Sequence, residues 1–487
     1  LVDLGNRDGK YRFETKTLSD EFVERFTGGR GFGLGLLWEA VNENTKWDDP
    51  ENEIIISGGP LCGITQYPGA GKCYSVFLSP ATKQTYASNA GGYFGPLIKF
   101  SGFDSFELRG IADRNVIIFV DGDQGKVEIY ESPFSPKDNS YTITDELHDY
   151  FSAEDEYREN GKRAISVVST GQAAAHSYIC GMNFSFYDLR RKVARLKQAG
   201  RGGGGTVLRH KGVHALVVKK RKVTGVENDP ADLATLQQVG IKLHKEIHDY
   251  DDVQCKMRKV GTAHLNEVMN DYHLLPVNNY KFGQHPDINN IHSDVYTSLF
   301  TQGLPDGCWY GCSLSCAKAA DNFELKTGPW KGKKVTVDGP EYETAASLGS
   351  VIGIFDPKWT IEANFYADHY GFDTISLGTI LAFLAECYEL GLINKDHTGG
   401  LELTFGNKDA MMEMIHRMAE GTDEFAVAAS RGIRYLKDFL SEKYGADRKV
   451  MEDIGMEGQG LEVSQYRCQE SIAQWGGYFL TLKGPQH

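Results

Sequence analysis

Residues 357–393, PKWTIEANFYADHYGFDTISLGTILAFLAECYELGLI, carry the clearest local prediction about the fold. Apolar residues recur on both sides of Gly371-Phe372-Asp373 at the spacing typical of helices. Because glycine readily takes the left-handed conformation that ends a helix, the tripeptide predicts a break between two helices. The second helix is expected to end near Gly391. Asp373 is thereby placed in a turn between helices.

The chain before this stretch has a different character. Residues 1 to about 222 alternate short β-rich runs with turns, which indicates a sheet-rich domain with few long helices. The runs are NEIIISGG, YSVFLSP, VIIFVDG, AISVVST and ALVVKK. After RKVTGVEN (221–228), apolar residues recur at spacings of three and four residues, and long helices are expected to dominate. We therefore predict an α+β protein with a sheet-rich domain at 1–222 and a largely helical remainder.

Composition and charge limit the class of protein. A chain of 487 residues with 41% apolar residues is long enough for several domains and a large cofactor. We find no apolar run long enough for a membrane span and no secretion signal in LVDLGNRDGKYRF, so we expect a cytoplasmic protein. The net charge is −14 and basic residues form only short clusters such as VVKKRKV (217–223), which argues against a nucleic-acid partner.

Three of the nine cysteines, Cys308, Cys312 and Cys316, lie in GCWYGCSLSCAK (307–318). A disulfide would leave one thiol odd, and a thioredoxin-like pair requires C-x-x-C rather than this wider spacing. Zinc would require a fourth ligand at comparable spacing, and the next histidine is His369. An iron–sulfur cubane, with three thiolates from one loop and a fourth from elsewhere, fits best, and zinc is the main alternative.

Glycine is abundant, with 55 residues, and three glycine motifs were compared with known ligand loops. GGRGFGLG (28–35) follows a helix-like segment rather than a strand, so dinucleotide binding is not expected. GAGK (69–72) lacks the spacing of a P-loop. QAGRGGGGTVL (198–208) presents successive backbone N–H groups beside Arg201 and is suited to an anion, with a flexible turn as the alternative.

In chain order, the motifs resemble those of one family, the tungsten-containing aldehyde:ferredoxin oxidoreductases. The similarity extends over nearly the whole chain. The motifs are GGRGFG (28–33), SGGPLCG (57–63), SNAGGYFGPLIKFSGFD (88–104), AGRGGGG (199–205), the cysteine loop, DGPEYETAASLGS (338–350) and ADHYGFDTISLG (367–378).

The resemblance implies three inorganic cofactors: a tungsten held by two pyranopterins, a [4Fe-4S] cluster close to it, and a magnesium ion that bridges the pterin phosphates. Cys308, Cys312 and Cys316 would supply three cluster ligands. The family's loop is C-x-x-C-x-x-x-C, so this chain has one extra residue in the first gap. The resemblance also makes 1–222 the bis-pterin-binding domain and places a pterin-binding turn in 223–449.

Further pterin residues follow from the same resemblance. Asn89 and Ala199 match the positions whose backbone carbonyls hold magnesium. Lys72 stands where the family has an arginine between cluster and pterin, and lysine keeps the cation but loses the planar fork. The segment with Asp368, Gly371 and Asp373 resembles the pterin-binding D-x-x-G-L-D, with phenylalanine in place of leucine.

Two residues align with the family's active site. Glu343 matches its glutamate and His487 its histidine. A carboxylate can take the proton that an attacked aldehyde loses, and an imidazole can hydrogen-bond the carbonyl oxygen. We therefore expect Glu343 to act as the base and His487 as the electrophile. Without the resemblance, a surface glutamate and a frayed terminal residue would be the simpler interpretations.

A second metal site is implied at a dimer axis. Glu413 and His416 are one helical turn apart, and in the family an E-x-x-H histidine binds a metal together with a glutamate that aligns with Glu362. We therefore expect a metal at Glu362 and His416 and a homodimer or larger complex. A solvated helix surface is the alternative.

Two family elements, the fourth cluster cysteine and a second pterin motif, would fall beyond residue 487. We therefore expect these residues to be part of a longer polypeptide, with 450–487 as the start of a further helical domain. If the chain ended there, Cys468 would be the nearest fourth ligand.

Three functions remain open. The first is oxidation of an aldehyde to a carboxylic acid, with electrons passed through the cluster to ferredoxin or a dedicated iron–sulfur subunit. The second is low-potential reduction of an aromatic acyl-CoA, as in the family's benzoyl-CoA reductase branch. The third is a non-catalytic electron-transfer subunit.

Overall fold

The computed structural model describes residues 1–155, 158–223, 230–301 and 306–486, and the chain divides into two compact units. The first unit comprises Leu1–Ala175, Cys180–Val253 and Gly307–Ser315. The second comprises His176–Ile179, Gln254–Asp306 and Cys316–His487. The division into domains at 222/223 and 449/450 stays a prediction.

The first unit is built on two six-stranded sheets. Its strands are β1 (Val2–Asn6), β2 (Arg12–Phe13), β3 (Ile54–Gly58), β4 (Cys73–Leu78), β5 (Thr85–Ala90), β6 (Ser105–Ile111), β7 (Val116–Asp121), β8 (Lys126–Glu131), β9 (Ile165–Ser169), β10 (Met182–Asp188), β11 (Val193–Ala199) and β12 (Val213–Lys219). The strand orders are β2-β1-β6-β3-β4-β5 and β11-β10-β9-β12-β7-β8. The outermost strands β5 and β11 lie against each other.

The first unit also contains seven α-helices within the described residues. They are α1 (Asp20–Phe26), α2 (Arg30–Ala40), α3 (Phe94–Phe100), α4 (Ser140–Ser152), α5 (Arg158–Gly161), α6 (Gly204–His210) and α7 (Leu233–Tyr250). In the second sheet, Val167 and Val217 are fully buried against Ile143 and Leu147 of α4. Branched side chains of this kind pack well on a covered sheet face, which explains the β-rich runs in the sequence.

The glycine motif at 28–35 serves helix packing. A Cβ on Gly33 of α2 would lie 2.4 Å from Val76 Cγ2 on β4, and one on Gly35 would lie 2.7 Å from the ring of Phe22. The glycines therefore let α2 approach the first sheet closely. The motif therefore has a structural function in helix packing, and the absence of dinucleotide binding stays a prediction.

The second unit is largely helical, as predicted for the later part of the chain. Its helices are α8 (Met257–Val260), α9 (Leu265–Asp271), α10 (Ser293–Leu299), α11 (Tyr342–Ser347), α12 (Pro357–Tyr370), α13 (Thr374–Glu389), α14 (Lys408–Glu420), α15 (Glu424–Ala429), α16 (Ile433–Tyr444), α17 (Arg448–Ile454) and α18 (Ile472–Leu480). Its strands pair as β13 (Ala319–Glu324) with β14 (Lys334–Asp338), and β15 (Glu457–Gly458) with β16 (Leu461–Glu462).

The predicted helix break is confirmed. Gly371 has a φ of 89° and ends α12, and Asp373 begins α13 as its N-cap. The sheet-rich beginning and the helical remainder confirm the α+β class. Within the described ranges, every helix is too short or too polar to cross a membrane.

Candidate functional site

Cys308 and Cys312 come together in the first unit. Their side chains are hydrogen bonded, and this bond, followed by burial, raises the pKa of the Cys308 thiol, while the charges of Lys72 and Lys197 lower it. The turn is fixed by Cys312 N, which donates to Trp309 O at 3.1 Å. Two of the predicted cluster ligands are thus adjacent and have cations close to them.

Cys316 belongs to the second unit, where its backbone pairs with that of Asp306. All three loop cysteines are partly exposed. The other cysteines whose side chains the structure describes are buried: Cys62, Cys73, Cys180, Cys387 and Cys468. Partial exposure distinguishes thiols that can take up an inorganic group from thiols that only fill a core. Among the described residues, no group of three or more His, Cys, Asp or Glu side chains is arranged to hold a single metal ion.

The cysteine loop rests on glycines from two sequence motifs. A Cβ on Gly71, in GAGK, would lie 2.2 Å from Trp309 Cγ. A Cβ on Gly91, in SNAGG, would lie 2.7 Å from Cys308 Cβ, and Gly92 N donates to Cys308 O at 3.3 Å. Real Cβ atoms do not approach so closely, so glycine is required at both positions. Through these contacts, the cysteine loop packs against the GAGK and SNAGG segments.

Lys197 is a residue that the sequence did not single out. Its Cγ lies 3.4 Å from the position of a Cβ on Gly91, so its side chain runs beside Cys308. It stands on β11 two residues before Ala199, and side chains at that spacing share one face of a strand. Lys72 is exposed, and its charge also lowers the pKa of Cys308. The sequence held one signal for Lys197: it lies on the same face of the strand as Ala199, a predicted cofactor-binding residue.

Asn89 and Ala199 lie on the neighbouring strands β5 and β11. Asn89 is exposed, whereas Ala199 is fully buried. Arg201 follows as a buried residue at 5% exposure. The pairing of the two outer strands brings the predicted magnesium positions into one region of the first unit.

Part of the glycine run after Arg201 serves packing. Gly202 has a φ of 87°, and a Cβ there would lie 2.3 Å from the ring of Tyr86. A Cβ on Gly205 would lie 2.0 Å from Gly181 O. These glycines are required by close backbone approach, whether or not the run also holds an anion.

In the second unit, Asp373 is bound to its own helix. Its carboxylate accepts from Ile375 N at 3.1 Å and from Ser376 Oγ at 2.6 Å. Asp368 is 4% exposed near the end of α12. Asp373 therefore has a structural function as a helix cap, and pterin binding by Asp368, Gly371 and Asp373 stays a prediction.

Glu343 lies in the first turn of α11, and its Oε2 accepts from Gln465 N at 3.0 Å. Gln465 O in turn accepts from Tyr342 Oη at 2.6 Å. A charged-group hydrogen bond of this kind fixes the direction of the carboxylate. Gln465 was not predicted, because it is far from Glu343 in the sequence.

Phenols and a thiol surround Glu343. Burial, and then the charge of Glu343, raise the pKa of Tyr466 and set the pKa of Cys468 at about 12. The Cys468 thiol donates to Tyr466 O at 3.2 Å, so in the second unit Cys468 is a buried neighbour of the candidate base. His487 lies outside the described residues, and its expected part as electrophile stays a prediction.

Glu362 and His416 meet at Thr327. Glu362 Oε1 accepts from the Thr327 amide and hydroxyl, both at 2.7 Å, and His416 Nε2 lies 3.3 Å from the same hydroxyl. Burial lowers the pKa of His416 to about 4. Glu413 instead pairs with Arg417 at 2.8 Å. The two predicted ligands are thus brought together beside a cavity of about 510 Å³, and the metal stays a prediction.

A solved structure has a similar fold. The active-site complex BamBC of benzoyl coenzyme A reductase with 1,5-dienoyl-CoA matches with a TM-score of 0.74 and 20% identity, over 96% of this chain and 65% of that chain. At this identity the match shows the fold alone.

Sequence comparison gives the family. The family model "Aldehyde ferredoxin oxidoreductase, N-terminal domain" matches residues 1–220, and "Aldehyde ferredoxin oxidoreductase, domains 2 & 3" matches residues 238–487. The chain belongs to the aldehyde ferredoxin oxidoreductase family, and the resemblance of its motifs is confirmed.

Two relatives show the range of the similarity. The tungsten-containing aldehyde ferredoxin oxidoreductase of Pyrococcus abyssi is 29% identical over 471 residues, which is 95% of this chain and 71% of the relative. The "aliphatic sulfonate oxidoreductase, WOR-like subunit" of Pyrococcus furiosus is 26% identical, over 83% of this chain and 61% of the relative. The two relatives are thus oxidoreductases named for different substrates, an aldehyde and an aliphatic sulfonate.

Proposed function

We propose that this chain is the tungsten-pterin subunit of an oxidoreductase that converts an aldehyde into a carboxylic acid. The observation that supports this most is the placement of Cys308 against Gly91, beside Lys197. The motifs thought to hold pterin and the loop thought to hold the cluster thereby share one location in the first unit.

The residues present fit the cofactors that the family implies. Cys308, Cys312 and Cys316 offer partly exposed, soft thiolate donors, which suit iron–sulfur clusters. Glycines at 71 and 91 leave no side chain on the surface that receives the loop.

The residues that would hold pterin and magnesium are Lys72, Asn89, Ala199, Arg201, Asp368, Gly371 and Asp373. A bound tungsten centre would supply two-electron redox chemistry, and a bound cluster would supply one-electron transfer. Ferredoxin or a partner iron–sulfur subunit would receive them.

Glu343 would act on the proton. Oxidation of an aldehyde with water to a carboxylic acid releases two electrons and two protons, and a carboxylate positioned at the reacting carbon can accept one of the protons. The amide of Gln465 holds Glu343 Oε2 in place, and Tyr342 holds Gln465. His487 would donate a hydrogen bond to the substrate oxygen.

Reduction of an aromatic acyl-CoA is the second candidate, since one solved structure with a similar fold is a benzoyl coenzyme A reductase complex. The two are separated by one comparison on metal-replete protein: reduction of a viologen by a panel of aldehydes, against acyl-CoA-dependent oxidation of a reduced viologen. Aldehyde-dependent reduction supports the first function. Absence of that activity, with acyl-CoA turnover, contradicts it. A non-catalytic electron-transfer subunit would show neither activity.

A further inference from the structure

The cysteine loop presents one aromatic ring to the surface. Trp309 is 5% exposed, whereas the next residue, Tyr310, is 52% exposed. Arg163 Nε donates to Tyr310 Oη at 3.0 Å, and its guanidinium lies 5.1 Å from the centre of the Tyr310 ring. The ring of Tyr93 supports it from the protein side at 4.7 Å. Tyr310 is therefore held in one position while much of its surface stays open.

Two exposed cations lie on the segments that contact the aromatic pair of the cysteine loop. Arg163 contacts the Tyr310 ring, and Lys72 follows Gly71, where a Cβ would lie 2.2 Å from Trp309 Cγ. Their presence is notable in a chain whose net charge is −14. A local positive surface on an acidic protein steers an acidic partner to one place and repels it elsewhere.

The acidic side chains near Arg163 have cations of their own. Asp149 pairs with Lys162 at 2.6 Å, and Glu159 lies 3.4 Å from the same amine. Asp188 pairs with Arg191 at 2.7 Å and with Arg195 at 3.3 Å. Lys162 is thus shared by two carboxylates, Asp188 has two arginines, and Arg163 contacts the ring of Tyr310.

We propose that Tyr310 and Arg163, flanked by Lys72, form the docking surface for an acidic iron–sulfur electron-carrier protein. This rests on the proposed function, because the carrier receives its electrons next to Cys308. Tyrosine and arginine are the residue types that most often dominate binding energy at interfaces. Their position on the cysteine loop places the carrier beside the group that would donate the electrons.

The test uses the metal-replete protein and an acidic [4Fe-4S] ferredoxin. Two charge reversals are compared: Arg163→Glu at the proposed surface, and Arg12→Glu on β2, at the opposite edge of the first sheet from Lys72. We expect Arg163→Glu to raise the Kd for oxidised ferredoxin, measured by calorimetry at low salt, by about tenfold, and the difference to shrink as salt is added. Arg12→Glu should leave the Kd unchanged.

Viologen reduction separates this proposal from the proposed function, since a small dye requires no docking surface. Arg163→Glu should reduce viologen at the wild-type rate and ferredoxin slowly. Equal Kd values for Arg163→Glu and wild type, an equal loss in Arg12→Glu, or a change in oligomeric state caused by Arg163→Glu would overturn the docking surface. Wild-type protein could fail to reduce viologen with aldehydes while Arg163→Glu still raises the Kd for ferredoxin. That result would overturn only the aldehyde function.

Discussion

The side chains of Lys197 and Cys308 converge over Gly91: a Cβ placed on that glycine would lie 3.4 Å from Lys197 Cγ and 2.7 Å from Cys308 Cβ. An ammonium group close to a cluster ligand stabilises the added negative charge when the cluster is reduced. A lysine with no motif of its own is thereby connected to the redox chemistry proposed for the cysteine loop.

Replacing Lys197 with an uncharged residue should change the reduction potential of the cluster. We expect Lys197→Met to move the reduction potential to a more negative value, on the order of tens of millivolts, because a nearby positive charge is lost. EPR-monitored redox titration measures the shift. Lys126→Met, on the exposed outer strand β8, is the control. An unchanged potential in Lys197→Met would contradict the assignment.

Gly71→Ala should displace the cysteine loop from its packed position. The added methyl group would lie 2.2 Å from Trp309 Cγ, whereas one on Gly59 would meet nothing within 4 Å. We expect Gly71→Ala to lower the free energy of unfolding by roughly 1–3 kcal/mol and to lower the iron content, and Gly59→Ala to change neither. Thermal unfolding and iron analysis report the two effects. Full iron loading in Gly71→Ala would show that the loop does not depend on this contact.

Glu343→Gln keeps the size of the side chain but removes its capacity to accept a proton. We expect aldehyde oxidation to fall by about 10²–10⁴-fold while tungsten and iron are retained. Glu442→Gln, an exposed residue of α16, should behave as wild type. A Glu343→Gln protein with normal turnover would remove Glu343 from the mechanism, and one without cofactor would show that the residue is structural.

Acid should destabilise the first unit through His148. Burial, and then the charge of Lys162, lower the pKa of His148 to about 3, and its Nε2 lies 2.9 Å from Ser185 Oγ. Because the unfolded chain binds the proton near pH 6.5 and the folded chain does not, stability falls as the pH falls from 6.5 towards 3. Between pH 6.5 and pH 4 the loss is about 3 kcal/mol.

The histidine can be isolated by substitution. In His148→Gln, the change in the free energy of unfolding between pH 6.5 and pH 4 should shrink by about that amount. Denaturant unfolding at the two pH values measures it, and exposed His248→Gln is the control. An identical pH dependence in wild type and His148→Gln would contradict the buried neutral imidazole.

The sequence predicted those features of the fold that depend on neighbouring residues along the chain. The break at Gly371 and the α+β order could be predicted, because helix ends and strand runs depend on neighbouring residues. The contact of Lys197 with Cys308 could not, since it depends on where β5 and β11 meet. Gln465 was missed for the same reason: its bond to Glu343 joins segments 122 residues apart.

The most direct measurement is metal analysis of protein purified anaerobically from tungsten-supplemented cells, with Cys308→Ser alongside. The account predicts about one tungsten and about four iron atoms per chain in wild type, with iron lost in Cys308→Ser. Zinc in place of both metals, or an iron content that does not change in Cys308→Ser, would contradict it.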